Sequence, residues 1–428
     1  MSQKLLMPCI YLCREKAVAG LNNDEVIHSN PLELAQYYSD HQADGLLIFD
    51  LSSYDEEHEA ALDIIKSICS AIAIPVIGAG NVKRMEDVKK LLYAGCRKAV
   101  LNFAKESNIA ILEEVSKKFG KDKIVISIAR ETEITEHKEL IEAYASEILL
   151  INENRIRETL ALATLPVLMS VPDVSLDKIL EIFEKENVYG ITGKAVNDNA
   201  QEINSIKLLC KENGIEVALY EAKFKWSDFK KNSDGHVPVV VQDDKTDEVL
   251  MVAYMNEEAY NETIRTGRMT YYSRSRDALW IKGETSGHYQ YVKALSADCD
   301  LDTILARVSQ VGAACHTGSH SCFFNTILSE KRENTSNPLK VFEEVMGTIQ
   351  DRKVHPKEGS YTNYLFDKGI DKILKKLGEE STEIVIAAKN PNANEIKYEI
   401  CDFLYHMMVL MVEKGVTWEE ITNELAKR

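Results

Sequence analysis

Asp298-Cys299-Asp300-Leu301-Asp302, followed by Cys315-His316-Thr317-Gly318 and Cys322, sets three thiols and three carboxylates close together in the chain. Three thiolates suit zinc, which prefers soft sulfur ligands in tetrahedral geometry. Three protein ligands leave a fourth position for water, whose pKa falls to about 7, so that hydroxide is supplied at neutral pH. A purely structural zinc site would need His316 or His320 to complete it. The aspartates offer hard oxygen ligands suited to magnesium. On a strand, Asp298, Asp300 and Asp302 would point to one face and Cys299 to the other, so two different metals on opposite faces are expected.

Upstream, the run from Tyr272 to His288 carries Arg274, Arg276, Lys282 and His288, with Glu284 and Ser286 between Gly283 and Gly287. The cations are candidates for holding a phosphorylated ligand, and the glycines permit close backbone approach. A second constellation lies near the end of the sequence. Glu380 and Glu383 are spaced i, i+3, as are Glu399 and Asp402, so each pair shares a helix face. Glu383 lies eight residues before Pro391 and Glu399 eight after; Glu380 lies eleven before and Asp402 eleven after. An antiparallel hairpin turning at Pro391 would bring four carboxylates to matching heights. Such a cluster repels itself unless a hard cation, magnesium or manganese, neutralises it and bridges phosphate oxygens. Arg352, Lys375 and Lys376 are the nearby candidates for phosphate.

The elements that must position these groups are legible in outline. The 428 residues suggest two or three domains, and 45% apolar with 28% charged residues describes a globular chain. The net charge of −17 argues against nonspecific nucleic-acid binding and requires local cations or metals for any anionic substrate. No secretory pattern opens the sequence, no apolar run is long enough to span a bilayer, and the nine cysteines are odd in number. Free thiols in a reducing cytoplasm are expected. Over residues 1–222, eight short β-branched runs, among them 5–12, 45–51, 99–103 and 123–129, each precede a helix-length stretch, which predicts a (β/α)₈ barrel. Ile74-Pro75-Val76-Ile77 recurs as Leu165-Pro166-Val167-Leu168, a faint half-barrel repeat. Strand alternation over residues 237–242, 249–254, 269–273, 278–282 and 289–297, with one helix near 257–266, predicts a compact, mainly antiparallel α+β metal-binding module at 223–330. Residues 329–338 read as a linker, and 338–428 as an all-α helical module.

With these motifs in place, specific resemblances emerge. Pro238 to Asp243, Leu250 to Asn256, the SRSR…LWIKGETSGH run, ADCDLD and CHTGSHSCF together resemble phosphoribosyl-AMP cyclohydrolase over residues 224–325. The resemblance implies zinc on Cys299, Cys315 and Cys322, with Cys299 donated by one subunit of a homodimer and the other two by its partner. It implies magnesium on Asp298, Asp300 and Asp302, and hydrolytic opening of the adenine ring at N1–C6. His316 or His288 would transfer the proton. Residues 339–426 resemble the all-α nucleoside triphosphate pyrophosphohydrolases. Ser360-Tyr361-Thr362, Gly369, Lys375 to Gly378 and Tyr405-His406 narrow the likeness to phosphoribosyl-ATP pyrophosphohydrolase. Its product would be the substrate of the preceding module, so a bifunctional hydrolase of small-molecule nucleotides is expected. The competing expectation is a scaffold or regulatory protein carrying general nucleotide hydrolases.

Residues 1–222 resemble the cyclase subunit of imidazole glycerol phosphate synthase and its sister isomerase, on stretches such as Ala43 to Asp50 and Phe119 to Val125. The family's two acid–base aspartates fall at Tyr11 and Ala129, and its lysine at Ala19. The phosphate loop after the third strand reads Gly78-Ala79-Gly80-Asn81, whereas its counterpart after the seventh reads Ser170-Val171-Pro172. A degenerate barrel without the family's chemistry is expected, with Asp50, Asn102 and Lys194 as the polar groups left near strand ends.

Overall fold

The computed structural model describes residues 3–151, 156–172, 175–328, 338–390 and 393–425. The chain forms two compact units, Met1–Thr326 and Ile327–Arg428. In the first, β1 (Leu5–Met7) and β2 (Cys9–Cys13) are one extended run interrupted at Pro8. A hairpin follows, β3 (Lys16–Gly20) and β4 (Asn23–His28). Next come the parallel strands β5 (Leu46–Asp50), β6 (Val76–Ala79), β7 (Lys98–Asn102), β8 (Ile124–Ile128), β9 (Glu147–Leu150), β10 (Val167–Ser170) and β11 (Val188–Thr192). Because β1 pairs with β11 and β2 with β5, the sheet closes on itself as the expected eight-stranded parallel barrel.

Alternation along each strand builds two apolar layers. Leu47, Ile77, Val100, Val125, Leu149 and Leu168 fill the barrel interior. Leu46, Ile48, Leu101, Ile126 and Ile148 face the outer helices, where Ile65 and Leu112 meet them. Period-two geometry sends neighbours to opposite sides, and a parallel barrel buries both, so its strands read as continuous apolar runs. The β3–β4 hairpin was not foreseen. The turn that leads into it from β2 places Arg14 and Glu15 at φ of 48° and 63°, positions that glycine or asparagine would ordinarily mark in a sequence.

The same unit continues through β12 (Val237–Asp243), β13 (Val249–Met255), a helix over Glu257–Thr266, and a hairpin of β14 (Thr270–Ser273) and β15 (Ala278–Ile281). It ends with β16 (Gln290–Ala297) and β17 (Ile304–Gln310). Asn256 caps the helix by accepting the Ala259 N–H at 2.8 Å, and Gly267 ends it at φ 69°. The four-stranded sheet runs β13-β12-β17-β16. Strand β17 is absent from the sequence expectation, and its pairing with β12 is parallel, against the antiparallel trend of the rest. This sheet has its own core of Val237, Val239, Val241, Leu250, Tyr271, Ile304, Ala306 and Val308. The barrel and the sheet thus keep separate cores, while polar contacts join them across residue 222.

The second unit is helical: Pro338–Val354, Tyr361–Lys368, Ile370–Ala387, Ala393–Lys414 and Trp418–Leu425. Met346, Ile349, Leu365, Ile373, Met408 and Val409 form its core. The turn expected at Pro391 and almost all of the expected 329–338 linker lie outside the described residues. Among the described residues, no helix is long and apolar enough to cross a membrane.

Candidate active sites

The acidic run is not a strand. Residues 298–303 form the tight connection from β16 to β17. The Asp298 carboxylate accepts the backbone N–H groups of Asp302 and Thr303 at 3.0 and 3.1 Å, and Leu301 sits at φ 61° to complete the turn. Winding, instead of strand alternation, brings Asp298, Asp300 and Asp302 together, with one oxygen of each within 4.8 Å of the others, all exposed. Desolvation pushes the Asp298 carboxyl up, but the backbone bonds from Thr303 and Asp302, with side-chain bonds from Asp302 and Asp300, together outweigh it and leave the carboxyl lowered.

Cys315 and Cys322 lie within hydrogen-bonding reach of each other on the segment after β17. Thr317 Oγ1 donates to the Cys315 sulfur at 3.1 Å, which favours the thiolate. Cys299 is exposed, and within this chain no third cysteine joins the pair among the described residues. His316 Nδ1 lies 4.0 Å from the Cys315 sulfur, whereas His288 packs under Gly312. His320 instead pairs with Glu248 at 3.0 Å.

Lys282 is buried at the end of β15. Burial pushes its ammonium below the ordinary value, against the attraction of Cys322 and Cys315. The sequence named it as a phosphate ligand; its place beside the thiol pair is a tertiary fact. The preceding loop is fixed by Gly283, at φ 93°, where an added Cβ would come within 2.4 Å of the Tyr289 nitrogen. The Arg274 guanidinium stacks 3.8 Å from the Tyr254 ring centroid, a geometry that leaves its edge available for hydrogen bonding. Arg276, Glu284 and Ser286 are exposed on adjoining turns.

In the helical unit, Glu380, Glu383 and Glu399 bring one oxygen each within 4.8 Å of the others, and Asp402 is outside that group. Glu380 is only 4% exposed; Lys376 Nζ reaches it at 3.3 Å, and the buried His406 lies 3.6 Å away. His406 Nδ1 donates to the Asp402 carbonyl at 2.8 Å, and its Nε2 lies 3.0 Å from the Tyr361 hydroxyl. Two neighbouring carboxylates raise Lys376 above its ordinary value. Lys375 pairs with Glu379 at 3.4 Å and Arg352 with Asp351 at 2.9 Å. His406 is the site residue for which the sequence assigned no role.

At the mouth of the barrel, a cavity of about 400 Å³ is lined by Asp50, Ser52, Asn81, Asn102 and Lys105, among others. Tyr11 is stacked on Phe49 with centroids 5.5 Å apart, and the Ala129 N–H donates to Glu133. Asp50 is held by the Ser52 N–H at 2.9 Å, the Ser52 hydroxyl and His58 Nδ1. Burial pushes its carboxyl up, but these bonds outweigh burial and leave it lowered. His58 is raised by the same contact, and its buried Nε2 has no protein partner. Lys194 is paired with Asp198. The only carboxylate the sequence offered at this mouth is therefore committed to the protein.

Three family models match the chain. Phosphoribosyl-AMP cyclohydrolase covers residues 251–324, phosphoribosyl-ATP pyrophosphohydrolase covers 342–428, and a histidine biosynthesis protein family covers 5–161. The histidine biosynthesis bifunctional protein HisIE of Thermoanaerobacter pseudethanolicus is 50% identical over 209 residues, 46% of this chain and 97% of that protein. Its counterpart from Bacillus subtilis is 46% identical over 197 residues, 46% of this chain and 93% of that protein. That from Thermus thermophilus is 46% identical over 194 residues, 45% of this chain and 89% of that protein.

Proposed function

Because this chain belongs to the bifunctional HisIE family of histidine biosynthesis, we propose a division of labour in which a thiol-and-carboxylate site opens the ring and a carboxylate site releases pyrophosphate. The chain carries out two hydrolytic steps. Phosphoribosyl-ATP becomes phosphoribosyl-AMP and pyrophosphate, and phosphoribosyl-AMP is then opened in its adenine ring. The observation that carries the division is the segregation of donor types: two adjacent thiols and a converging aspartate turn lie within one match, and a glutamate trio within the other.

For the cyclohydrolase, Cys315 and Cys322 supply two of the three thiolates of a tetrahedral site that fits zinc. Cys299, exposed and apart from them in its own chain, would complete the set from the partner of a homodimer. When bound, zinc would lower the pKa of a water at its open position. Magnesium would be held by Asp298, Asp300 and Asp302, whose oxygens converge with, among the described residues, only Lys230 paired to them, at 3.3 Å from Asp300. Arg274, Arg276 and Lys282 would hold the phosphorylated ligand, with Glu284 and Ser286 on its rim. The place of His316 beside the thiol pair favours it over His288 for moving the proton.

For the pyrophosphohydrolase, Glu380, Glu383 and Glu399 fit magnesium, with Asp402 a further candidate one helical turn on. Lys375, Lys376 and Arg352 would meet the phosphates. His406 would orient Glu380, since its ring is fixed from both sides by Tyr361 and the Asp402 carbonyl. Domain limits of 1–222, 223–330 and 338–428, a cytoplasmic location and a non-catalytic barrel complete the reading. The chemistry of Tyr11 and Ala129 supports the last: alanine moves no proton, and tyrosine, with an unperturbed pKa of about 10, is a poor base.

Reciprocal variants test the division. Cys315→Ser should abolish ring opening, a loss of at least about a thousandfold, so that phosphoribosyl-AMP accumulates from phosphoribosyl-ATP. Glu383→Gln should stop turnover of phosphoribosyl-ATP yet leave supplied phosphoribosyl-AMP consumed at the normal rate. Ring opening that survives Cys315→Ser, or loss of both steps in either folded variant, would overturn the assignment.

A further inference from the structure

The contact between the barrel and the cyclohydrolase sheet falls on one irregular place. Strands β16 and β17 pair Val292 with Val308 and then Ala294 with Arg307, so Lys293 is a bulged residue with none opposite. A bulge shifts the side-chain phase of everything beyond it, because a one-residue slip sends each side chain to the other face. Beyond this one, the strand runs four residues to Ala297 and then enters the acidic turn at Asp298.

Barrel groups surround the bulge. Asp40, the last residue of the helix Pro31–Asp40, accepts from Lys293 Nζ at 2.7 Å through one oxygen and from Ser309 Oγ at 3.1 Å through the other. It thereby ties β16 to β17. His41 Nδ1 donates to the Tyr37 carbonyl at 2.7 Å, so its Nε2 accepts from the Tyr291 hydroxyl at 3.3 Å. Both rings are buried, and burial lowers the His41 pKa, in keeping with the neutral ring this bonding requires. On the remaining side, the Tyr220 hydroxyl donates to the Val292 carbonyl at 3.0 Å. Three consecutive positions, Tyr291 to Lys293, and Ser309, the cross-strand partner of Tyr291, are therefore held by three residues outside the sheet.

We propose that Asp40, His41 and Tyr220 are positioning residues for the cyclohydrolase: by clamping the Lys293 bulge they set the phase at which β16 delivers the acidic turn. The barrel then serves ring opening without touching substrate. The inference rests on the reading of Asp298, Asp300 and Asp302 as a magnesium site.

The test uses the full chain with Asp40→Ala and, separately, Tyr220→Phe. Hydrogen–deuterium exchange should show the amides of residues 298–303 in Asp40→Ala exchanging about tenfold faster, while those of β12 keep their rate. The magnesium concentration for half-maximal ring opening should rise about tenfold, with excess magnesium restoring the rate and pyrophosphate release within twofold of normal. Tyr220→Phe should shift both readouts in the same direction by a smaller factor. Unchanged exchange at 298–303 and an unchanged magnesium requirement would overturn the proposal. So would a uniform rise in exchange across the sheet with loss of rate that magnesium does not restore, the mark of a merely structural contact. Asp300→Asn separates the two levels: if it leaves the magnesium requirement unaltered, the reading of the turn fails, whereas faster exchange in Asp40→Ala still reports the clamp.

Discussion

Buried Asp50 and half-buried His58 pair at the mouth of the barrel, and their linkage to pH has a definite sign. His58 has a raised pKa, so its contribution is complete below the ordinary value of 6.5 and is lost as pH rises through the folded value. Asp50 has a lowered pKa, so its contribution is present above 3.8 and is lost as pH falls through the folded value. The pair therefore stabilises most between those limits. His58→Leu should cost about 3 kcal/mol by leaving a buried carboxylate without its charged partner. Urea unfolding at about pH 5.5 and again at about pH 9 should show a smaller penalty at the higher pH, because the imidazole gives up its proton as pH rises through its raised folded value. An equal penalty at both would mean that the pair is not ionic. At this scale the sequence was most informative about donor types, since thiols and carboxylates are named by their residues. It was silent on His58, because a lone histidine on helix Asp55–Ala71 has no spacing that points across to Asp50.

Elements decide whether those side chains meet. The glutamate trio was legible because helical spacing is periodic and survives into three dimensions. The aspartate turn was read with the wrong geometry, as a strand, yet its carboxylates converge because a tight turn also brings alternate residues together. The separation of Cys299 from Cys315 and Cys322 was implied by the family resemblance alone: closeness in sequence says nothing about which side of a hairpin end faces which loop. Gly283 shows how strictly one connection is set. At φ 93°, with backbone 2.4 Å from where a Cβ would stand, Gly283→Ala must move the chain between β15 and β16. It should destabilise the first unit by more than about 1 kcal/mol and lower ring opening through a displaced Lys282. Pyrophosphate release should be untouched. Thermal unfolding and the two assays on one preparation would check this, and a normal ring-opening rate would dissociate Lys282 from the site.

For the whole molecule, the barrel was legible as a fold because eight apolar runs at even spacing admit few alternatives. Its meaning was not, since the residues that matter for the sheet beyond it, Asp40, His41 and Tyr220, carry no motif. A barrel retained for support should be chemically silent. The full chain should show no turnover of the cyclase or isomerase substrate of its barrel relatives, followed by the absorbance of product over hours at high enzyme concentration. Measurable turnover, abolished by Asp50→Asn, would instead make this a trifunctional enzyme.

Closure of the ring joins Leu5, Leu6 and Met7 to Gly190, Ile191 and Thr192. Almost two hundred residues must leave the ribosome before that seam can form, and contacts so distant in sequence form late. Lys293 emerges about a hundred residues afterwards, a delay on the order of 5–20 s at ordinary elongation rates. The order of synthesis thus gives the β16–β17 hairpin a finished surface to fold against, on which Asp40 and His41 are already fixed. The nascent acidic turn acquires its register from a part of its own chain that was completed first.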